Sequence, residues 1–473
     1  MKRSTFIKQA GFLGAGIMTL DHLPFKLLTP EFPEVRRAPA SRNFSSPAIE
    51  SAIREFKAAV KDKELAWLFG NCFPNTLDTT VFVKSKGANP DTYVITGDID
   101  AMWLRDSTAQ VWPYLTFMKS DPALQNLIAG VINRQTQCIL KDPYANAFYD
   151  DETKQGHWKD DLTEMKPGIH ERKWEIDSLC YPVRLSYHYW KLTKDEKPFD
   201  ENWKRSIESM LTVFKTQQRK EGPGPYSFQR NTAWATDGVP LGGYGYPVKP
   251  VGLICSMFRP SDDATIFPFL IPANFFAVVS LNQASEMARS VAKDEKLSRS
   301  LSDLAQEVAA ALKQYGTIDH PQFGKIFAYE VNGYGSYNLM DDANIPSLLS
   351  LPYLGGVKAD DEVYQNTRKF LLSTENPFFF KGKAGEGIGG PHVGIDMIWP
   401  LSIIMRGLTS TDDQEIKTCV AMLRATHGDT GFMHEAFHKD DAKKFTRKWF
   451  AWANTIFGEF LWNVYKQKPH LLS

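Results

Sequence analysis

The sequence predicts an all-α fold, an (α/α)6 barrel in a single domain, on three observations. Roughly a dozen segments carry apolar residues at helical spacing. Strand-like alternation is confined to short connections such as "TYVIT" and "KIFAYEV". Alternate helices are preceded by long loops dense in acids and aromatics, while the helices between them are ordinary amphipathic ones. Two separate helical bundles are the structural alternative.

In chain order, residues 1–24 read as a secretory signal. Lys2, Arg3 and Lys8 precede an apolar run from Ala10 to Leu20 that is too short to span a bilayer. "KRSTFIK" resembles a twin-arginine signal with Lys in place of the first Arg, which leaves the export route open. Export to a bacterial periplasm is the expectation, and a frayed amphipathic helix is the alternative. A Pro-rich lead follows over 25–44, and the remaining residues, 45–473, are expected to form the helical domain. "SSPAIESAIREFKAAV" opens its first helix with Ser caps and Pro in the first turn. "DPALQNLIAGVINRQTQCIL" starts the same way at Asp121 and Pro122, and puts Leu124, Leu127, Ile128, Val131 and Ile132 on one face. Further helices are expected at about 106–118, 177–193, 201–218, 272–292, 297–316, 345–354, 361–373, 391–407, 411–426 and 449–466.

The adorned loops are "DIDAMWLRDS", "RKWEIDS", "RPSDDATIFPFLIPAN", "SYNLMDDANIPS", "GIGGPHVGIDMIWP" and "HGDTGFMHEAFHKDDAKKFTRKWFAWAN". Each leads into every second helix. Six helix pairs of this kind would close into an inner and an outer ring, so that the loops meet at one mouth.

Composition excludes several classes. With 473 residues, 43% of them hydrophobic, a large core is available. Acids and bases balance at 55 each, which argues against nucleic acid as the main partner. No later apolar stretch is long enough to span a membrane, so a soluble exported protein is expected. The five cysteines are scattered without a CxxC pair and suggest neither a zinc knuckle nor a disulfide framework.

"TGDIDAMWLRDSTAQVWPY" gathers Asp98, Asp100, Arg105 and Asp106 among indoles. A pyranose needs this combination: charged partners for its hydroxyls and ring faces for its apolar side. A structural salt-bridge cluster at a helix start would use the same residues. Two carboxyls must work as a pair if the protein is a glycosidase. "FRPSDDATIF" offers Asp262 and Asp263, "GDTGFMHEAFHKDD" offers Glu435, and "WEIDS" offers Glu175 and Asp177. No HExxH, EF-hand, Walker or GxSxG pattern occurs. "GEGIGG" follows no convincing strand and reads as a mobile or close-packed loop. His434 and His438 could bind a metal if they were helical, a minority reading beside the acids and aromatics.

At "TGDIDAMWLRDSTAQVWPY", "KWEIDSLCYP", "MFRPSDDATIFPFLIPAN", "GPHVGIDMIWP" and "TGFMHEAF" the sequence resembles glycoside hydrolase family 125, the bacterial exo-α-1,6-mannosidases. The resemblance spans roughly residues 45 to 470. It implies an (α/α)6 barrel that removes a terminal α-1,6-linked mannose with inversion, without metal or other cofactor, from mannosides such as N-glycan or mannan fragments. By position in the motifs, Asp262 is implied as general acid, with Asp263 its nearest competitor, and Glu435 as general base. Asp98, Asp100, Trp103, Arg105, Asp106, Glu175, Asp177 and His392 are expected to hold the terminal mannose. An acid that stays protonated near neutral pH needs burial or a like charge, a part the adjacent Asp would serve. Another toroid enzyme, such as a glucosidase or a lyase, and a non-catalytic glycan-binding protein of the same fold are the rival functions.

Overall fold

Outer and inner helices differ at their first residue. Each of six helices opens on an aspartate whose carboxylate accepts a backbone N–H two or three residues on. Asp62 caps Lys63–Cys72, Asp121 caps Pro122–Lys141 and Asp200 caps Glu201–Gln217. Asp294 caps Glu295–Tyr315, Asp361 caps Glu362–Leu371 and Asp412 caps Asp413–Ala425. The six helices that alternate with them start at Trp103, Glu175, Leu270, Ser350, Trp399 and Phe450, none with a side-chain cap. The capped set is amphipathic and lies outside. The uncapped set is buried nearly all round, as Ile271–Ser290 shows, where even Asn274 and Ser280 are fully enclosed.

This computed structural model describes residues 32–85 and 89–472. The expected signal over 1–24 and the first part of the Pro-rich lead lie outside the described residues. Val35–Ser473 form one compact unit, so the end of the lead belongs with the domain. Arg36 donates to Asp78 at 2.6 Å and to Glu50 at 2.5 Å.

Leu104–Val111 packs on Ile176–Thr193, which packs on Ile271–Ser290 and through it on Leu351–Leu354. On the other side Pro400–Leu408 packs on Ala451–Gln467, which returns to Leu104–Val111. The remaining gap is bridged by the Ala343 N–H bond to the Gly389 carbonyl at 3.0 Å. The ring of six inner helices inside six outer ones is the (α/α)6 barrel the loop pattern predicts.

Three small sheets feed inner helices. They combine Met102–Trp103 with Ala147–Phe148 and Ile169–Glu171, Phe269–Leu270 with Glu330–Val331 and Tyr337–Asn338, and Met397–Ile398 with Ala436–His438 and Asp441–Thr446. In each, the first strand runs almost directly into an inner helix, which fixes the mouth loops to the ring. "TYVIT" contributes Asp91–Val94, and "KIFAYEV" contributes parts of Gly324–Phe327 and Glu330–Val331.

Several helix boundaries differ from the periodicity. The segment expected over 106–118 is α-helical only over Leu104–Val111 and then tightens to 3-10 turns over Trp112–Ser120, because Pro113 has no N–H to continue the ladder. The one expected over 345–354 is helical only over Leu351–Leu354, with Pro352 in its first turn, since Pro346 disfavours a helical conformation at the residue before it. The one expected over 391–407 begins at Pro400, behind strand Met397–Ile398. Lys63–Cys72 and Asn75–Thr79 are helices the pattern did not resolve, the second being too short to show a period. "GEGIGG" is not wholly a loop: Glu386–Ile388 is a strand paired with Phe379–Lys381, and the segment is close-packed, since a Cβ on Gly389 would sit 2.2 Å from the Met397 carbonyl oxygen. The five cysteines are buried and free. Among the described residues no helix is long and apolar enough to cross a membrane.

Candidate active site

The uncapped inner-helix ends face one cleft of about 430 Å³. Its walls come from the loops before all six inner helices: Thr96 to Asp106, Trp158 to Lys173, Arg230 to Asp263, Asn344, His392 to Trp399, and Glu435 to Phe450. Open helix N-termini carry partial positive charge, so carboxylates gather there at reduced electrostatic cost.

Arg105 is the hub of the floor. It donates to Asp106 at 2.8 Å, to Asp177 at 3.1 Å, to both oxygens of Glu175 at 3.2 Å and to Asp262 at 3.0 Å. Four carboxyl groups thus share one guanidinium away from water, and they cannot all be ionised. Burial pushes Glu175 well above the ordinary carboxylate range, Asp177 up to about 7, and Asp106 upward. Burial acts on Asp262 in the same sense. Arg105 and Lys173, with a hydrogen bond from the protonated Glu175, outweigh it and hold Asp262 low. Glu175 and Asp262 therefore bind one proton between them, resting on Glu175, because a second ionisation would set like charges side by side.

Asp262 lies at φ +66°, a left-handed conformation that Asp tolerates better than most residues. Its side chain is 21% exposed, the only member of the Arg105 cluster with substantial access to the cleft. Asn146 also donates to it at 3.2 Å, and Lys173 donates to its carbonyl oxygen at 2.7 Å. Asp263 is engaged otherwise, its side chain only 2% exposed, accepting from Thr236 at 2.5 Å and Ser261 at 3.2 Å and pairing with His392 at 3.6 Å. The doublet is thereby divided, and the like-charge neighbour of Asp262 is Glu175 from another loop, not the adjacent Asp expected from sequence. Burial lowers the His392 pKa, but Asp263, Glu435 and Asp262 overcome it and carry it up to about 9, so the ring is cationic at neutral pH.

Glu435 stands on a different wall, next to Arg447, whose Nη1 is 3.4 Å away. Arg447 is held in turn by Asp98 at 2.5 Å. That pairing depends on Gly97, at φ +140°, where a Cβ would lie 2.3 Å from the Trp449 carbonyl oxygen.

Of the expected sugar-binding residues, Trp103, Arg105, Asp106 and His392 line the cleft beside Asp262 and Glu435. Three others act from behind it. Glu175 and Asp177 are fully buried under Arg105, and Asp98 positions Arg447. Asp100 is a correction: its side chain is 74% exposed, pairs with Lys154 at 3.4 Å and is not part of the wall. His434 and His438 do not share a helix face: His434 is stacked at 3.6 Å on Phe445 and His438 ends a strand.

Sequence reasoning missed Trp158, Lys173, Arg230, Trp234, Asp237, Trp399 and Arg447. Lys173 and Arg447 sit inside the quoted motifs, and their proximity to acids was the available signal. Trp158 and Arg230 lie on unrelated loops and meet only in space, with the guanidinium 3.5 Å over the indole. Trp103 and Trp399 reach the wall with their rings, while their indole nitrogens are buried without a protein acceptor.

Carboxyls, cationic partners and indoles lining one cleft at the mouth of a helical toroid are what a glycoside hydrolase presents, and the chain is one. Residues 62–462 match the family described as metal-independent alpha-mannosidase (GH125). The chain belongs to that family. It is 43% identical to the Meiotically up-regulated gene 157 protein of Schizosaccharomyces pombe, over 93% of this chain and 90% of that protein. A Streptococcus pneumoniae metal-independent alpha mannosidase, solved as a non-productive complex with alpha-1,6-mannobiose, superimposes with a TM-score of 0.87 at 40% identity, over 90% of this chain and all of that one. A Saccharomycopsis fibuligera glucoamylase, 12% identical with a TM-score of 0.51 over 91% of this chain and 99% of its own, shares the fold alone.

Proposed function

We propose that the protein is an exo-acting, inverting α-1,6-mannosidase that releases terminal mannose from α-mannosides such as N-glycan or mannan fragments. The observation that carries the reading is the placing of Asp262 and Glu435 on separate walls of one cleft whose floor is sealed by the buried Arg105 layer. A sealed floor admits a chain end and does not let a chain thread through, as exo action requires. The 1,6 linkage is supported by the mannobiose complex of the S. pneumoniae enzyme.

In this reading the proton shared by the pair passes from Glu175 to Asp262, which gives it to the glycosidic oxygen as the bond to the anomeric carbon breaks. Glu435 takes a proton from the water that attacks from the opposite face, giving β-mannose. Inversion calls for a carboxyl separation of roughly 6.5–9.5 Å to seat that water. His392 and Arg105 address the sugar hydroxyls. Proton NMR of α-1,6-mannobiose hydrolysis, beside the 1,2- and 1,3-linked isomers and with EDTA in parallel, tests linkage, stereochemistry and metal independence together. Early β-mannose from the 1,6 isomer alone, unchanged by chelator, is expected. Early α-mannose would overturn the role given to Glu435.

The shared proton has a pH signature. Asp262 is productive when protonated, so activity falls as pH rises through the upper ionisation of the Glu175–Asp262 pair. Replacing Glu175 by Gln removes the like charge that raises this ionisation and leaves Asp262 facing Arg105 and Lys173. The alkaline limb of kcat/KM is expected to move acidward by about one pH unit or more. A limb that stays in place would show that Glu175 is only structural.

A further inference from the structure

The leaving-group side of the cleft runs out into an exposed band of rings. In an inverting reaction the acid and the attacking water flank the anomeric carbon, so the departing sugar lies on the Asp262 side. That side can be followed bond by bond. Lys173 Nζ joins the Asp262 carbonyl at 2.7 Å to the Asp237 carboxylate at 2.6 Å. Asp237 closes the turn that begins at Trp234, and the next segment is tied in by the Ala264 N–H bond to the Thr236 carbonyl at 2.7 Å. Glu330 then accepts from the Ile266 N–H at 3.2 Å and from the Asn338 amide at 3.1 Å. Lys249 N–H meets the Asn332 carbonyl at 3.0 Å. Three segments, 234–249, 264–267 and 330–338, are thus sewn into one continuous surface beginning at the cleft wall.

This surface is unusually apolar for one facing water. Seven of the ten large hydrophobic side chains exposed among the described residues lie on it, between Trp234 and Ile266 or at Tyr334 and Tyr337. Trp234 is 52% exposed and Tyr334 66% exposed. The wall on the Glu435 side, built from Arg447, Phe450 and Trp399, carries no such band. The base of the 230s loop is also rigid, because Arg230 is buried between Asp161, Glu171 and Asp237 at 2.7 to 3.0 Å. A contiguous exposed apolar patch marks a binding surface. Five of the seven residues are Tyr or Trp, which offer a flat face and a polar tip at small entropic cost. That suits the alternating C–H and hydroxyl surface of a pyranose.

We propose that Trp234, Tyr246, Ile266, Tyr334 and Tyr337 form a platform for the third and later sugars of an oligomannoside on its leaving-group side. The proposal rests on the mannosidase reading and adds that the enzyme prefers chains longer than a disaccharide. The test compares kcat/KM for α-1,6-mannobiose and α-1,6-mannotetraose in the wild type and in the Tyr334→Ala/Tyr337→Ala double variant. Calorimetric binding of both sugars is measured on Asp262→Asn protein with and without the two tyrosines. The tetraose is expected to be favoured about tenfold in both kcat/KM and Kd, and the double variant to lose that advantage while turning over mannobiose at the wild-type rate. Equal treatment of the two sugars by the wild type, or an advantage that survives in the double variant, overturns the platform and leaves the mannosidase standing. Failure to cleave or bind either sugar would overturn the mannosidase reading and the platform with it.

Discussion

Asp262→Asn is expected to lower kcat on α-1,6-mannobiose by on the order of a thousandfold or more, the usual scale for losing a general acid. Asn keeps the shape, the tolerance for the left-handed backbone at φ +66° and an oxygen for Arg105. What it lacks is a proton to give. The loss should therefore depend on the leaving group. A mannoside of 2,4-dinitrophenol, whose phenolate departs without protonation, should lose at least tenfold less than mannobiose does. Equal losses on both substrates would assign Asp262 to positioning. Asp263→Asn is the companion measurement: because that carboxylate holds Thr236, Ser261 and His392, its loss should fall mainly on KM.

Glu435→Gln is expected to cost a similar factor, again on the order of a thousandfold, and to cost it on both substrates. The base activates water in every turnover whatever leaves, so an activated leaving group gives no relief. Gln preserves the contact with Arg447 and the fold of the wall, which separates loss of basicity from loss of structure. Azide needs no deprotonation to attack the anomeric carbon. Adding it to Glu435→Gln with the dinitrophenyl substrate should restore turnover and yield the β-mannosyl azide. An α-azide, or near wild-type hydrolysis without azide, would remove Glu435 from the base role.

The six aspartate caps show how much of the fold was legible. Each of Asp62, Asp121, Asp200, Asp294, Asp361 and Asp412 precedes an outer helix, and the local chemistry of a carboxylate with free N–H groups suffices to read most of them. The inner helices were legible for the opposite reason, through loops that carry acids and rings in place of caps. Where prolines interrupt the ladder, near Pro113, Pro346 and Pro400, periodicity overran the helix, because it registers which side chains are apolar and not which N–H groups exist.

At the site, the sequence by itself determined the residue types and the loops that carry them: Arg105 beside Asp106, the 262–263 doublet, Glu435, and the indoles. Only the tertiary structure decided where each carboxylate stands and what it faces. Arg105 reaches Asp177 and Asp262 across 72 and 157 residues, and Arg447 reaches Asp98 across 349. Those encounters exist only once the ring of helices has closed. Closure gives Asp262 access to the cleft and ties Asp263 to Thr236, Ser261 and His392, buries Glu175 beside Asp262, and leaves Asp100 in solvent. Helical period and capping act over a few residues and are written in the local sequence. The charge state of a carboxyl depends on every group within a few ångströms, and in a toroid those groups come from opposite ends of the chain.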